Sequence, residues 1–249
     1  MKVFIAVTLI FGLTKSFNNI IVNYNAILIV QIYTFLFLKK YIFVLYLFLK
    51  IKIMLQIQAR SDIPTDYGVF TVYAFSDSED DWNPHLVWVA LGTDFAKPVN
   101  VRFHSECITG EVFHSKKCEC GQQLSVAMEY VSKHGGIIIY LRQEGRNIGI
   151  INKLKAYALQ EKGFDTVEAN LMLGFPDDAR TFDDAIEVLK VLDIKAINLI
   201  TNNPDKINCL KNSGIQLNGR VPLEIKPNEV NKSYLDKKRE YFGHLLKEF

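Results

Sequence analysis

Residues 135–163 read GGIIIYLRQEGRNIGIINKLKAYALQEKG. Ile137–Leu141 is a short apolar run that follows two glycines and ends at Arg142, the pattern of a buried strand. Ile148–Lys162 has helical character and meets Gly163, a common helix terminator. Between them lies RQEGRNIG, a loop rich in charge and glycine. Strand, charged loop and helix in that order form the basic unit of a layered α/β fold.

The same alternation extends in both directions. Upstream, Gly68–Phe75, Leu86–Leu91 and Val99–Phe103 read as strands, the first two separated by the acidic loop Asp77–Asn83. Gln122–His134 is amphipathic: Leu124, Ala127, Met128 and Val131 fall on one helical face, and Gly135–Gly136 closes it. Downstream, Thr181 is an expected N-cap with Asp184 three residues on, for a helix to about Leu192. Ile197–Thr201 is a strand, and Asn203–Pro204 opens a further helix that Gly214 ends. The expected fold is α/β, or mixed α+β: a layered sheet with flanking helices. Its sites belong in loops at the C-terminal ends of strands, where helix N-termini point.

Composition divides the chain. Residues 1–60 hold seven basic residues and no Asp, Glu, Cys, His, Pro or Trp. Subtracting these from the chain's net +2 leaves −5 for residues 61–249, which argues against a nucleic-acid-binding body. Lys39–Lys40 splits the leader's best apolar window into pieces of 13 and 9 residues, short of the roughly 20 a membrane helix needs. Three readings of the leader stay open: a misplaced start with Met54 as the true first residue, a membrane anchor in residues 1–53, or a cleaved signal. The expected organisation is a leader over 1–60 and one catalytic domain over 61–249.

Chemistry concentrates in HSECITGEVFHSKKCECG, residues 104–121. Cys107, Cys118 and Cys120 can hold zinc and leave its fourth position open, as catalytic sites do; ordinary reduced cysteines are the alternative. Cys118 and Cys120 must sit on a turn to share a metal, and Gly121 favours one. His104 and His114 flank the cluster as further ligand candidates. Clustered thiols at metal spacing argue for a reducing, cytoplasmic setting, and Cys209 reads as core. In RQEGRNIG, backbone N–H groups with Arg142 or Arg146 suit a phosphate, and Glu144 could accept two N–H donors from a guanine edge. An internal Glu–Arg pair explains the same residues. Asp178 and Arg180 precede the Thr181 cap, Tyr157 lies beside Leu154 and Ala158 on the expected inner stripe of its helix, and Thr201 and Lys206 follow a strand in TNNPDK.

Together these motifs resemble the GTP cyclohydrolase II family. HSEC with C-x-C-G-x-Q-L, RQEGRNIG, KLKAYALQ, DTVEAN, LGFPDDAR, TNNPDK, RVPL and the closing GHLL occur in family order from about Ile63 to Leu246. The resemblance implies the first committed step of riboflavin synthesis: GTP loses C8 as formate and also loses pyrophosphate. It implies one zinc per chain on Cys107, Cys118 and Cys120 that activates water, and Mg²⁺ with the triphosphate. Arg180 would act at the α-phosphate with Asp178 as its proton acceptor, and Tyr157 would assist. Arg102, Phe103, His104, Ser105, Glu106, Gln123, Glu144, Gly145, Arg146, Thr166, Thr201 and Lys206 would contact GTP. A homodimer is expected, and so is a monofunctional enzyme. Lys117 and Glu119 depart from the family's usual Arg and Asp. Two other outcomes fit the residues: an enzyme that opens the ring but keeps the formyl group, and a non-catalytic zinc-stapled nucleotide sensor.

Overall fold

The computed structural model describes residues 33, 34, 39, 54–231 and 238–246. Contacts divide the chain into two compact units, Met1–Ile53 and Met54–Phe249. The readings of the leader as anchor, signal or misplaced start lie outside the described residues, among which no helix is long and apolar enough to cross a membrane.

The second unit is built on one seven-stranded sheet. Its strands are β1 (Gln56–Thr65), β2 (Gly68–Ser76), β3 (His85–Ala90), β4 (Val99–Ser105), β5 (Ile137–Leu141), β6 (Ala196–Ile200) and β7 (Gln216–Val221). Spatial order is β1-β2-β3-β5-β4-β6-β7. The first half is an antiparallel meander joined antiparallel to β5; β5, β4, β6 and β7 run parallel. The helices are α1 (Ile108–Glu111), α2 (Cys120–His134), α3 (Gly149–Gln160), α4 (Thr166–Met172), α5 (Asp183–Val191) and α6 (Pro204–Asn208). The expected layered α/β architecture is present.

The parallel strands explain the uninterrupted apolar run that marks β5. Side chains alternate across a strand, and here both faces are covered. Ile137, Ile139 and Leu141 pack with Phe103, Val188 and Leu189 of α5 on one face. Ile138 packs with Ala127, Met128 and Val131 of α2 on the other. Burying each large apolar side chain contributes about 1.5–3 kcal/mol, so the sheet centre is where the fold is most firmly set.

Several expectations need correction. The boundary expected after residue 60 falls inside β1, where Arg60 pairs with Tyr73, so the sheet begins at Gln56. β1 is exposed along almost its whole length, which removes the alternation that marks a strand in sequence. The Thr181 cap does not form: α5 begins at Asp183 with Phe182 at the N-cap position and no side-chain cap bond. The capping box that does form joins Asp165 and Glu168 at the start of α4. On α3 the buried face carries Lys153 and Ala156, not Leu154, which is exposed.

Topology places the site. From β4 the chain crosses through α2 to β5 on one side; from β5 it crosses through α3, α4 and α5 to β6 on the other. Loops leaving neighbouring parallel strands in opposite directions open a crevice beyond their C-terminal ends. There lie Glu106 and Cys107 after β4, Arg142–Asn147 after β5 and Thr201–Asn203 after β6.

Candidate active site

A cleft of about 530 Å³ occupies that position. Of the sequence-expected residues, it is lined by Cys107, Cys118, Cys120, Arg102, His104, Ser105, Glu106, Gln123, Glu144, Gly145, Arg146, Tyr157, Thr166, Arg180, Thr201 and Lys206. Asp178, Phe103, Arg142 and His114 are not part of its lining.

The three cysteine sulfurs lie within 4.8 Å of one another, and are the one group with metal-ligand geometry among the described residues. Cys107 follows β4, while Cys118 and Cys120 flank the start of α2. Gly121 is not the turn residue expected: it is helical. Its place there is set by close approach, since a Cβ on it would come 2.3 Å from the Gly110 carbonyl oxygen. A Cβ on Gly110 would come 2.7 Å from Cys118 Sγ, so two glycines let α1 lie against the thiols. Cys118 and Cys120 share their protons toward Cys107, which lowers the Cys107 thiol and raises the other two. Free, clustered thiols suit a soft cation such as zinc.

His104 does not join the set. Its Nε2 shares a 2.9 Å hydrogen bond with Glu111 Oε1, and its ring stacks on Tyr140. Glu111 also accepts from the Cys107 amide and the Tyr140 hydroxyl, so it braces the strand end that presents the first thiol. His114 lies in a left-handed turn outside the cluster.

Lys153 is the largest omission of the sequence reading. It is 8% exposed, with Nζ 3.1 Å from Cys107 Sγ and 2.8 Å from both Thr109 Oγ1 and Glu144 Oε1. Burial alone would push its ammonium down; the Glu144 hydrogen bond and the Cys107 charge outweigh this and keep it charged. Its signal in sequence was a lysine in phase with Ala156 on α3, which charge alone assigns to solvent.

The RQEGRNIG loop is tighter than a simple strand-to-helix connection. Gly145, Arg146 and Asn147 all have left-handed backbones, with φ of 62°, 59° and 70°. Such strain in non-glycine residues persists only where surrounding structure enforces it. Of the two arginines offered for phosphate, Arg142 is engaged by Glu106 at 2.8 Å and by the Pro84 carbonyl. Arg146 is the one that faces the cleft. Glu144 differs from expectation: Oε1 accepts from Lys153 and the Gly145 amide, and Oε2 from the Ile108 amide. With about four lone-pair sites on a carboxylate, one acceptor remains, not the pair that a two-donor base edge needs.

The cleft is also lined by cations. Arg102 donates to the Ile200 carbonyl and Gln123 Oε1, and Lys206 donates to the Phe103 carbonyl. Phe103 thus offers its backbone, while its ring stacks on Phe182 in the core. Arg180 is gripped by Asp178 through Nε at 2.9 and 3.1 Å and through Nη2. Burial raises the Asp178 carboxyl, but the Arg180 hydrogen bonds and charge hold it below the usual range. Burial, then the charges of Arg102, Arg180 and Lys238, push the Lys206 ammonium well down. Burial pushes Arg102 down to about 10. Like charges gathered in a cleft call for a polyanion.

Tyr157 lines the cleft, with Lys117 Nζ 4.7 Å and Lys153 Nζ 5.9 Å from its ring centroid. Lys117 also pairs with Glu161. Glu119, 2% exposed, holds Lys238 and Gln123, so both departures from the family pattern have defined partners.

A family model described as GTP cyclohydrolase II matches residues 56–222. The chain belongs to the GTP cyclohydrolase II family. Among curated proteins, it is 47% identical over 189 residues to "GTP cyclohydrolase-2" of Campylobacter fetus, covering 76% of this chain and 95% of that one. It is 48% identical over 187 residues to "GTP cyclohydrolase-2" of Neisseria meningitidis, covering 75% and 94%. It is 47% identical over 191 residues to "Riboflavin biosynthesis protein RibBA" of Staphylococcus saprophyticus, covering 76% of this chain and 47% of that protein. The chain spans about half the length of the RibBA proteins it matches.

Proposed function

We propose that this chain hydrolyses GTP to formate, pyrophosphate and 2,5-diamino-6-(5-phosphoribosylamino)pyrimidin-4-one, the first committed step of riboflavin biosynthesis. One observation carries the reading: a three-thiol metal set and a cluster of buried cations open into the same cleft. A purine nucleoside triphosphate has one end for each.

Cys107, Cys118 and Cys120 would hold zinc, which would supply the Lewis acidity that activates water for attack at C8. Lys153, fixed by Glu144 and Thr109, keeps Cys107 oriented. Arg102, Arg146, Arg180 and Lys206 receive the triphosphate with its Mg²⁺. Arg180 acts at the α-phosphate, and Asp178, which does not touch the cleft, aligns its guanidinium and stands where it can accept its proton. A bidentate pair fixes a planar group better than a single contact. Tyr157, in the cleft wall near Lys153, assists at the reacting ring. Ser105, Glu106, Gln123, Gly145, Thr166 and Thr201 complete the wall, and Glu144 offers the base a single acceptor.

The test is direct. Purified protein with GTP and Mg²⁺ should convert the purine absorbance into that of a diaminopyrimidine. GTP recovered intact from zinc-loaded protein refutes the proposal.

A further inference from the structure

The segment Lys238–Leu246 returns to the cleft from the end of the chain. Phe242, His244 and Leu246 line it. The segment is anchored at two points and closed on itself by a third bond. Lys238 Nζ pairs with the buried Glu119 carboxylate. The Leu245 amide donates to the Asn202 carbonyl at 2.8 Å, and the His244 amide donates to the Lys238 carbonyl at 2.9 Å. Asn202 belongs to the loop after β6 and Glu119 to the start of α2, so the segment bridges both sides of the crevice.

Two side chains then face these cations. The Phe242 ring lies under Arg146, 4.3 Å from guanidinium carbon to ring centroid, which fixes that arginine's plane. The His244 imidazole is half-buried, and makes no hydrogen bond among the described residues. Burial, then the charges of Lys238, Arg180, Lys206 and Arg146, push it down to about 3, so it stands neutral among cations. A neutral imidazole keeps one N–H to donate. Four cations against the two carboxylates of Glu119 and Asp178 leave a positive excess beside an idle donor, which suits a chain of phosphates, whereas a base or sugar offers no charge to match.

We infer that the C-terminal segment is part of the nucleotide site, with His244 donating a hydrogen bond to the β- or γ-phosphate and Phe242 holding Arg146 in plane against the same group. This rests on the GTP reading. It adds to the site two residues from a part of the chain that sequence motifs for metal, base and α-phosphate do not reach.

Calorimetric titration of the full chain with GTP, GMP and inorganic pyrophosphate tests it. His244→Ala should weaken GTP and pyrophosphate by roughly tenfold or more, the effect of one hydrogen bond to a charged group, and leave GMP near the parent value. His244→Gln, which restores an N–H donor, should recover part of the loss. Phe242→Ala should weaken the same two ligands. Equal losses for GTP and GMP would show that the segment acts only by supporting the fold, and no loss would place it outside the site; either overturns the inference. Parent protein that binds GTP and pyrophosphate while His244→Ala binds both as well defeats this inference alone. Parent protein that binds neither defeats the GTP reading with it.

Discussion

Replacing Gly110 by alanine should damage the metal site far more than its mild chemistry implies. The added Cβ would stand 2.7 Å from Cys118 Sγ and 3.3 Å from both Cys107 Sγ and Cys120 Cβ. Ordinary contact needs about 3.5–4 Å, so the first approach is roughly 1 Å too close. The sulfur cannot withdraw and still meet the other two. Helix α1 is confined as well, because the Gly110 carbonyl already touches the position of Gly121 on α2. Overpacking of this kind costs about 1–3 kcal/mol. Charged wholly to the metal-bound state, that weakens zinc about 5- to 150-fold, at 1.4 kcal/mol per factor of ten. Competition against a chromogenic zinc chelator reads the affinity, and a thermal melt reads the fold. Gly92→Ala is the control: nothing lies within 4 Å of its Cβ, but its φ of +79° makes a side chain strained, so stability should fall and zinc affinity should not. A Gly110→Ala protein that holds zinc as tightly as the parent would refute the packing account of the three-thiol site.

Cys118→Ala and Cys120→Ala should each abolish formate release and drop the metal content from about one zinc per chain; elemental analysis that finds undiminished zinc in either would remove that cysteine from the ligand set. Arg180→Ala should stop pyrophosphate release, and release at the parent rate would take Arg180 out of the phosphate end. Asp178 bears on pH: a carboxyl depressed in the folded state contributes stability that is complete above its unfolded value near ~4 and is lost as pH falls through the folded value. Asp178→Asn should therefore destabilise near neutrality and little at low pH, and a loss of equal size at every pH measured by denaturant titration would contradict that. Protein beginning at Met54 should fold, bind zinc and turn over GTP; folded protein without activity would show that residues 1–53 contribute to the chemistry.

What sequence could reveal follows from what each residue's neighbours are. β5 and the face of α2 were legible because burial on a fixed side imposes a fixed period, and the cysteines because three thiols close in sequence stood out as a set, and their sulfurs do converge. β1 was not legible, since an exposed edge strand has no buried side to mark its period. The Thr181 cap failed because capping chemistry is local and common: α5 starts later, at Asp183, without a side-chain cap, while the same residue types form a box at the start of α4 in Asp165 and Glu168. Lys153 was invisible for another reason: a lysine reads as solvent-facing until its counter-charges are known, and Glu144 and Cys107 come from other loops. The same holds for Glu144, whose neighbours in RQEGRNIG suggested a base reader, while its bonds run to Ile108 and Lys153. GHLL marked the chain's end as family-like without giving it a role; His244, and Phe242 before it, took one only when that end was seen to return to the cleft.

The central claim is that one cleft opens the purine ring and cuts the triphosphate. GTP labelled at C8, incubated with the zinc-loaded protein and Mg²⁺, tests both at once. The label should appear as free formate, one for each pyrophosphate released, and the Cys120→Ala protein should free none. Pyrophosphate with the label still on the nucleotide, or neither product, would contradict it.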